Sequence, residues 1–328
     1  MRLIFKDVGQ GDSIILEWHE NEVFKLGIID ASNETGKNPV LEHLKAISNY
    51  SIEFILLTHP HSDHFSGLLE VLEYISIKDI KVNYFLHTCS SVEEYFKASV
   101  RGRLHKKVLE QIFQLASKLN ESGAIENFGP VTTGVCKDFY LTDDVVMKVL
   151  SPTNSFYNKY NQVAFKNESE KNNNPDANYL SVVLKIEAKD WFILLTADAP
   201  RDFFWNVNKK GYKEFNKKFS IGQVPHHGSK NNYYPAFWKA IQKDEGSFAI
   251  FSVGENYYNH PSSSTVESLQ TLKYQIKATN YIGSLGSSLK VKEDSLLDLI
   301  STLEMPAAKD AVGADVVFQL RDNQWIVE

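Results

Sequence analysis

Cysteine is nearly absent from this chain: Cys89 and Cys136 are the only two in 328 residues. Two thiols cannot build a disulfide framework, and their spacing is not that of a metal-binding pair, so both are expected to be buried thiols. Long apolar runs are also missing. No stretch approaches the roughly 18 residues needed to cross a bilayer, so no membrane insertion is expected. The opening MRLIFKDVGQGDS has no basic segment leading into an apolar one, which argues against a secretory signal and for a cytoplasmic protein. Nor does basic charge dominate. With 35 lysines and arginines against 41 acids, the net charge of -6 gives no general attraction to polyanions. A nucleic-acid substrate would need a local basic patch or metal contacts. No serine or cysteine stands in a recognisable nucleophile elbow.

What is present is a globular composition, 43% hydrophobic and 23% charged, in a chain long enough to bury a sizeable core. Short strands are expected at Leu3–Val8, Ser13–Trp18 and Val23–Ile29, with Gly9-Gln10-Gly11-Asp12 as the first turn. A helix over Pro39–Ile47 leads to a buried strand, Phe54–Leu57, and a strand at Val82–Leu86 precedes an amphipathic region from Val92 to Leu119. That region carries Arg101, Arg103, Lys106 and Lys107, either a solvated helix face or a nucleic-acid contact. A hairpin should turn at Asp143-Asp144, and Asn154–Asp176, rich in Asn and Lys, reads as a mobile loop. Strands at Tyr179–Ile186 and Trp191–Thr196 follow. Helices (Arg201–Asn208, Tyr234–Gln242, Pro261–Lys273) then alternate with strands (Phe219–Val224, Phe248–Val253), and a last hairpin spans Ala314–Glu328. No repeat or linker interrupts the pattern, so one domain over residues 1–328 is expected, with sheets covered by helices.

The chemistry concentrates in Thr58-His59-Pro60-His61-Ser62-Asp63-His64, directly after an apolar strand. Pro60 disfavours helical angles at His59, so the chain should leave the strand extended. Residues two apart then face the same way, which lets His59 and His61 grip one ion. The following helical turn would aim Asp63 and His64 at a second. Imidazoles with a carboxylate suit zinc, with manganese or iron as alternatives. So many ionisable groups at the end of a buried strand would be costly without a cation. The isolated His19, His43 and His105 are ordinary surface or core residues on this reading.

The HxHxDH pattern after a strand resembles the signature of the metallo-β-lactamase superfamily, whose fold is a four-layer αββα sandwich of the α/β class. In that resemblance Asp30, ending Ile28-Ile29-Asp30, supports the histidine loop. Asp198, ending Leu194-Leu195-Thr196-Ala197-Asp198, bridges two divalent ions, and Val224-Pro225-His226-His227-Gly228-Ser229 is the late histidine motif. The likeness to Val-Pro-Gly-His-Gly favours His227 as the ligand. It leaves His226 facing substrate, as phosphate contact or proton donor, because adjacent side chains of an extended segment diverge. The Asp7–Ser13 segment, Asn178-Tyr179-Leu180-Ser181, the PHHGS stretch and Asn259-His260-Pro261-Ser262 resemble the hydrolase domain of the DNA-uptake protein ComEC. Together these segments span residues 1–285. The resemblance implies a metal or substrate role for His260 and substrate-proximal or supporting places for Asn178, Ser181, Ser229, Asp12 and Gln10. The plain alternatives remain: Asp198 as a helix cap near Pro200, His260 as a helix entry before Pro261, Asp12 and Gln10 as turn residues.

One departure stands out. Most superfamily members carry another histidine between the first cluster and the bridging aspartate, and here that interval offers only His87 and His105. His227 and His260 would then complete the two coordination shells. The implied activity is hydrolysis by a water that two ions share and acidify, with Asp63 and His226 as the catalytic side chains. A phosphodiester, including DNA or RNA, is the expected substrate. A small-molecule ester, thioester, lactone or lactam is the alternative, and a non-catalytic metal-stabilised binding protein a further one.

Overall fold

The computed structural model describes residues 1–33, 36–89, 95, 103–133, 138–164, 176–242, 246–281, 285 and 313–328. Arg101, Cys136 and the 165–175 part of the expected loop lie outside them. The strands form two sheets. The first runs, edge to edge, β15 (Gln324–Val327), β14 (Val316–Arg321), β1 (Arg2–Phe5), β2 (Ile14–Glu20), β3 (Val23–Ile29), β4 (Tyr50–Leu56), β5 (Val82–His87) and β6 (Ile125–Pro130). The second runs β13 (Gln275–Ala278), β12 (Phe248–Phe251), β11 (Lys218–Gln223), β10 (Trp191–Leu195), β9 (Val183–Glu187), β8 (Val145–Ser151) and β7 (Phe139–Thr142).

Each sheet has an antiparallel part and a parallel part. The parallel part is β3–β4–β5–β6 in the first and β10–β11–β12–β13 in the second. Parallel strands need crossovers, which the helices supply. The helices are α1 (Pro39–Ala46), α2 (Ser62–Phe65), α3 (Leu68–Lys78), α4 (Arg103–Glu121), α5 (Asn154–Ala164), α6 (Arg201–Lys210), α7 (Pro235–Ile241) and α8 (Ser263–Thr271).

Strand alternation divides the core into three layers. On β1 and β2, Leu3, Phe5, Ile14 and Leu16 face the second sheet, while Ile4 and Ile15 face the helices. On β10, Trp191, Ile193 and Leu195 point between the sheets and Phe192 and Leu194 point outward. Side chains two apart share a face, so one apolar run serves two layers. Outside the first sheet lie Val40 and Leu44 of α1, Leu68, Val71, Leu72 and Ile75 of α3, and Leu109, Ile112 and Ala116 of α4. Outside the second lie Phe203 and Phe204 of α6, Phe237 and Trp238 of α7, and Val266 and Leu269 of α8. Each such side chain contributes roughly 1.5–3 kcal/mol when fully buried. The four layers are thus helices, sheet, sheet, helices, as the αββα expectation has it.

Several expectations change. Asn154–Ala164 is a helix, not a loop. Its Phe156, Tyr157 and Tyr160 are buried, and that apolar stripe outweighs the polar Asn and Lys between them. Pro261 does not open α8: Ser262 caps that helix and the first helical residue is Ser263. The edge strands β6 and β13 were not anticipated. The hairpin turns at 143–144 and 322–323 stand where expected. Among the described residues no helix is long and apolar enough to cross a membrane.

Candidate metal centre

The parallel strands of both sheets end at one place, and the clustered side chains meet there, where open α/β sheets commonly bind ligands. Beyond β4 the chain carries Thr58 and the fully buried His59, passes Pro60, and stays extended at His61 (φ -94°, ψ 146°) before the single turn of α2. His59 Nε2 and His61 Nδ1 converge to 3.0 Å. On α2, Asp63 Oδ2 turns to His227 Nε2 at 3.3 Å, while the His64 ring stays 4.1 Å from that of His59. The meeting of His59 with His61 is what the extended spacing implies; the expected parting of His64 from His59 is not found, because the Asp30 carboxylate holds His64 beside Thr58.

Asp30 follows β3 in the left-handed region (φ 59°) and organises the loop from behind. Its carboxylate accepts from Thr58 N at 2.8 Å, Thr58 Oγ1 at 2.7 Å and His64 Nδ1 at 2.6 Å. Because Thr58 Oγ1 donates to Asp30, it can only accept from His59 Nδ1, 3.2 Å away. His227 Nδ1 donates to the carbonyl of Ser252 at 2.7 Å. When these three rings are neutral, the proton is therefore on Nδ1 and the lone pair on Nε2.

Those lone pairs point at Asp198, fully buried just past β10. Its Oδ2 lies 3.6 Å from His59 Nε2 and 3.4 Å from His226 Nε2, and its Oδ1 lies 3.6 Å from His64 Nε2 and 3.7 Å from His227 Nε2. His227 Nε2 is also 3.3 Å from Asp63 Oδ2. The Nε2 atoms of His64 and His227 and the Oδ1 of Asp198 are buried without a hydrogen-bond partner. With neutral rings these atoms are acceptors facing acceptors in a dry pocket, which repel unless a cation, a metal ion or an added proton, lies between them. Zinc–nitrogen bonds of about 2.0–2.1 Å at tetrahedral angles place donors about 3.4 Å apart, close to the separations found here. The residues present fit divalent ions.

Two donor sets meet this test: His59 with His64 and Asp198, and Asp63 with His64 and His227. A third, Asp12 with Asp30 and His64, engages the Nδ1 side of His64, where the proton already bonds Asp30. That set is support, not a binding site.

The electrostatics follow the same division. Burial, and then the neighbouring His64, lower the His59 pKa to about 4; burial and His59 lower that of His61 to about 3. Burial would also lower His227, but Asp198, Asp63 and Asp12 outweigh it and raise it to about 9. Asp30 and Asp198 likewise hold His64 well above the usual histidine range against burial. Burial works to raise Asp198, yet the surrounding His226, His227 and His64 keep it well below the carboxylate range.

Across the sheets, Asp12 Oδ2 accepts from Gln223 Nε2 at 2.7 Å, and Gln223 Oε1 accepts from Thr196 N and Ala197 N at 2.9 and 3.0 Å. Gln223 thereby ties the first turn of the chain to the strand end that presents Asp198. It was not singled out in the sequence, although a glutamine closing the buried Phe219–Val224 run was a visible signal. Asn232 was also missed: its Nδ2 donates to the carbonyls of Asp198 and Ala199 and its Oδ1 faces His226 Nδ1 at 3.0 Å.

The other expected residues take supporting or outlying places. Asn178, in a 3-10 turn over Ala177–Leu180, comes within 3.3 Å of His226 Nδ1. Ser181 N bonds back to Asn178 O, and Ser229 braces the His226–Asn232 turn. Gln10 makes no hydrogen bond through its buried Oε1. His260 is half-buried, its ring 5.2 Å from that of His226; like His61 and His226 it lies outside the donor sets, and unlike them it has no nitrogen in contact with His59 or Asp198 among the described residues. His87 packs on Phe113 and Phe128 and accepts from Cys89 N, so it does not fill the gap left between His64 and Asp198. His226 and His227 are not extended: both adopt left-handed angles, φ 49° and 53°.

Residues 7–136 match the model of the metallo-beta-lactamase superfamily. With its two sheets flanked by helices, the chain has the metallo-β-lactamase fold. No curated protein matches it. Among solved structures, Zn(2+)-bound PqqB from Methylobacterium extorquens is similar at a TM-score of 0.46 and 12% identity, over 85% of this chain and 98% of that one. The metallo-beta-lactamase fold protein YhfI from Bacillus subtilis gives 0.45 and 8%, over 85% and 96%. A diphosphatase of the PhnP family gives 0.41 and 12%, over 85% and 94%.

Proposed function

We propose that this chain is a dinuclear metal-dependent hydrolase of the metallo-β-lactamase superfamily that cleaves phosphodiesters. The observation that carries the proposal is the split of one carboxylate: Asp198 turns Oδ2 toward His59 and Oδ1 toward His64 and His227, each facing a nitrogen lone pair. On this reading His59 and His61 hold one ion, Asp63, His64 and His227 the other, and Asp198 both. Zinc is the first candidate, with manganese or iron as alternatives. Two such ions supply Lewis-acid stabilisation of anionic oxygens and acidify water.

The chain's own residues do the rest. Asp30 and the Ser252 carbonyl keep His64 and His227 in the tautomer that offers Nε2. Asp12 and Gln223 hold the Asp198 turn in place. Among the described residues Asp63 and Asp198 face the proposed ions and the buried Asp12 and Asp30 stand behind His64, so the four carboxylates would offset two divalent charges. The preference for an anionic phosphodiester therefore rests on the Lewis acidity two ions would offer its oxygens. The resemblance of Asp7–Ser13, Asn178–Ser181, Pro225–Ser229 and Asn259–Ser262 to the ComEC hydrolase domain supports the same substrate class. The basic stretch contributes less, because Lys106 lies 4.0 Å from Glu110 on the exposed side of α4.

Zinc- or manganese-loaded protein should cleave bis-(p-nitrophenyl) phosphate, single-stranded DNA or RNA. Cleavage of a lactone or thioester with none of these would refute the substrate class. Two bound ions with no turnover of any of them would favour a binding protein.

A further inference from the structure

We infer that His226 is a metal ligand, completing the ion site of His59 and His61 through Nε2, so that two successive histidines straddle Asp198 and serve different ions. This rests on the dinuclear reading above. His61, His59 and Asp198 alone leave the first ion with fewer protein donors than the second, which has Asp63, His64, His227 and the other oxygen of Asp198. His226 Nε2 lies 3.4 Å from Asp198 Oδ2, the same oxygen that faces His59 Nε2 at 3.6 Å. That is the spacing of two atoms sharing one zinc ion.

The protonation of His226 follows from its neighbour. Asn232 donates through Nδ2 to the carbonyls of Asp198 and Ala199, both at 3.1 Å, which fixes the orientation of its amide. Its Oδ1 therefore faces His226 Nδ1 at 3.0 Å, a shorter contact than the 3.3 Å from Asn178 Nδ2 to the same nitrogen, and a proton on Nδ1 makes the closer of the two bonds. The Nε2 lone pair is left pointing at a carboxylate oxygen. A proton donor at this position would need its hydrogen on Nε2, aimed at substrate. A metal ligand needs the arrangement found.

The backbone supplies a separate argument. Two consecutive non-glycine residues in left-handed angles, His226 at φ 49° and ψ 54° and His227 at φ 53° and ψ 24°, are strained by on the order of 1–3 kcal/mol each. In an extended segment the two rings would point to opposite sides. The left-handed pair instead brings the Nε2 atoms of adjacent residues to the two oxygens of one side chain. His260, whose backbone N and O are both bound by the Asn256 side chain, has no comparable aim at Asp198.

The test is zinc binding by the chelator-stripped full chain, read by calorimetry and by metal analysis after gel filtration. His226→Asn is the variant of choice, because asparagine tolerates left-handed angles and is too short to replace the imidazole. The wild type should take up two zinc ions. His226→Asn should keep one at wild-type affinity and bind the other roughly 100-fold or more weakly, beyond the 10–100-fold typical of losing a ligand's supporting partner. Two ions bound by His226→Asn within threefold of wild-type affinity would overturn the inference and leave the dinuclear reading standing. A wild type that binds no zinc would overturn that reading itself. Should the variant not fold, anomalous scattering from zinc-soaked wild-type crystals decides. A His226 Nε2–zinc distance of about 2.0–2.1 Å supports the assignment, and a ring turned away from both ions refutes it.

Discussion

Asp30→Asn replaces one carboxylate oxygen with an amide NH2 and should separate folding from metal binding. The wild-type carboxylate accepts three hydrogen bonds, from Thr58 N, Thr58 Oγ1 and His64 Nδ1. In the variant the amide oxygen must stay with Thr58 N, since the reverse orientation would set donor against donor. The amide NH2 then replaces the oxygen that received Thr58 Oγ1 and His64 Nδ1. His64 can meet that new donor only by accepting at Nδ1, which moves its proton to Nε2 and removes the lone pair aimed at Asp198. The lost charge-assisted bond should cost about 1.5–3 kcal/mol of stability. Loss of such a supporting partner typically weakens metal binding 10–100-fold, and the displaced proton should place this variant at the upper end. The assay is zinc competition against a chromophoric chelator, with thermal melting as the folding control. A folded Asp30→Asn that binds both ions as tightly as the wild type would refute the tautomer argument.

Other outcomes follow from the same contacts. Gln223→Leu strands Asp12 Oδ2 and the amides of Thr196 and Ala197. At about 1–3 kcal/mol for each buried unpaired group, urea unfolding should register a loss of several kcal/mol; a change within about 0.5 kcal/mol, the scale of ordinary surface substitutions, would contradict the clamp. Gly11→Ala should lower the melting temperature, because Gly11 has φ 148° and a Cβ there would lie 2.5 Å from Asp63 O; an unchanged melting curve would refute that close approach. The pKa of His227, raised to about 9, gives a pH signature. In the metal-free fold its stabilising contribution is complete below about 6.5, the unfolded value, and is lost as pH rises through 9. Zinc needs the neutral ring, so uptake at pH 7.5 should release a proton from His227, and the release should fade above about pH 10. Calorimetry in buffers of different ionisation enthalpy measures it, and zinc uptake with no proton release would contradict the assignment.

What could be read from the sequence depended on how local the cause was. Pro60 and the two-residue spacing of His59 and His61 imply that those rings meet, and they do, whereas the turn into α2 carries Asp63 to His227 but leaves His64 beside His59. Sheets covered by helices were legible from the order of strands and helices, and the αββα layering from the HxHxDH resemblance. The missed features have longer-range causes. Phe156, Tyr157 and Tyr160 form a buried helical stripe inside a segment whose Asn and Lys content suggests a loop. The strands β6 and β13 sit at sheet edges and bury one residue each, Ile125 and Ala278, so their sequences show little alternation. The bond from Gln223 to Asp12 joins residues 211 positions apart, beyond any sequence window. The left-handed angles of His226 and His227 fall on residues that are not glycine, so nothing local announces them.

The central claim is that a pair of cations bridged by Asp198 occupies the space between the sheet ends. Titrating the chelator-stripped protein with zinc, beside Asp198→Ala, tests it most directly. The wild type should saturate at two equivalents, and the variant, deprived of the group shared by both sets of imidazoles, should lose tight binding of at least one. A folded wild type that takes up no zinc, manganese or iron would contradict the account.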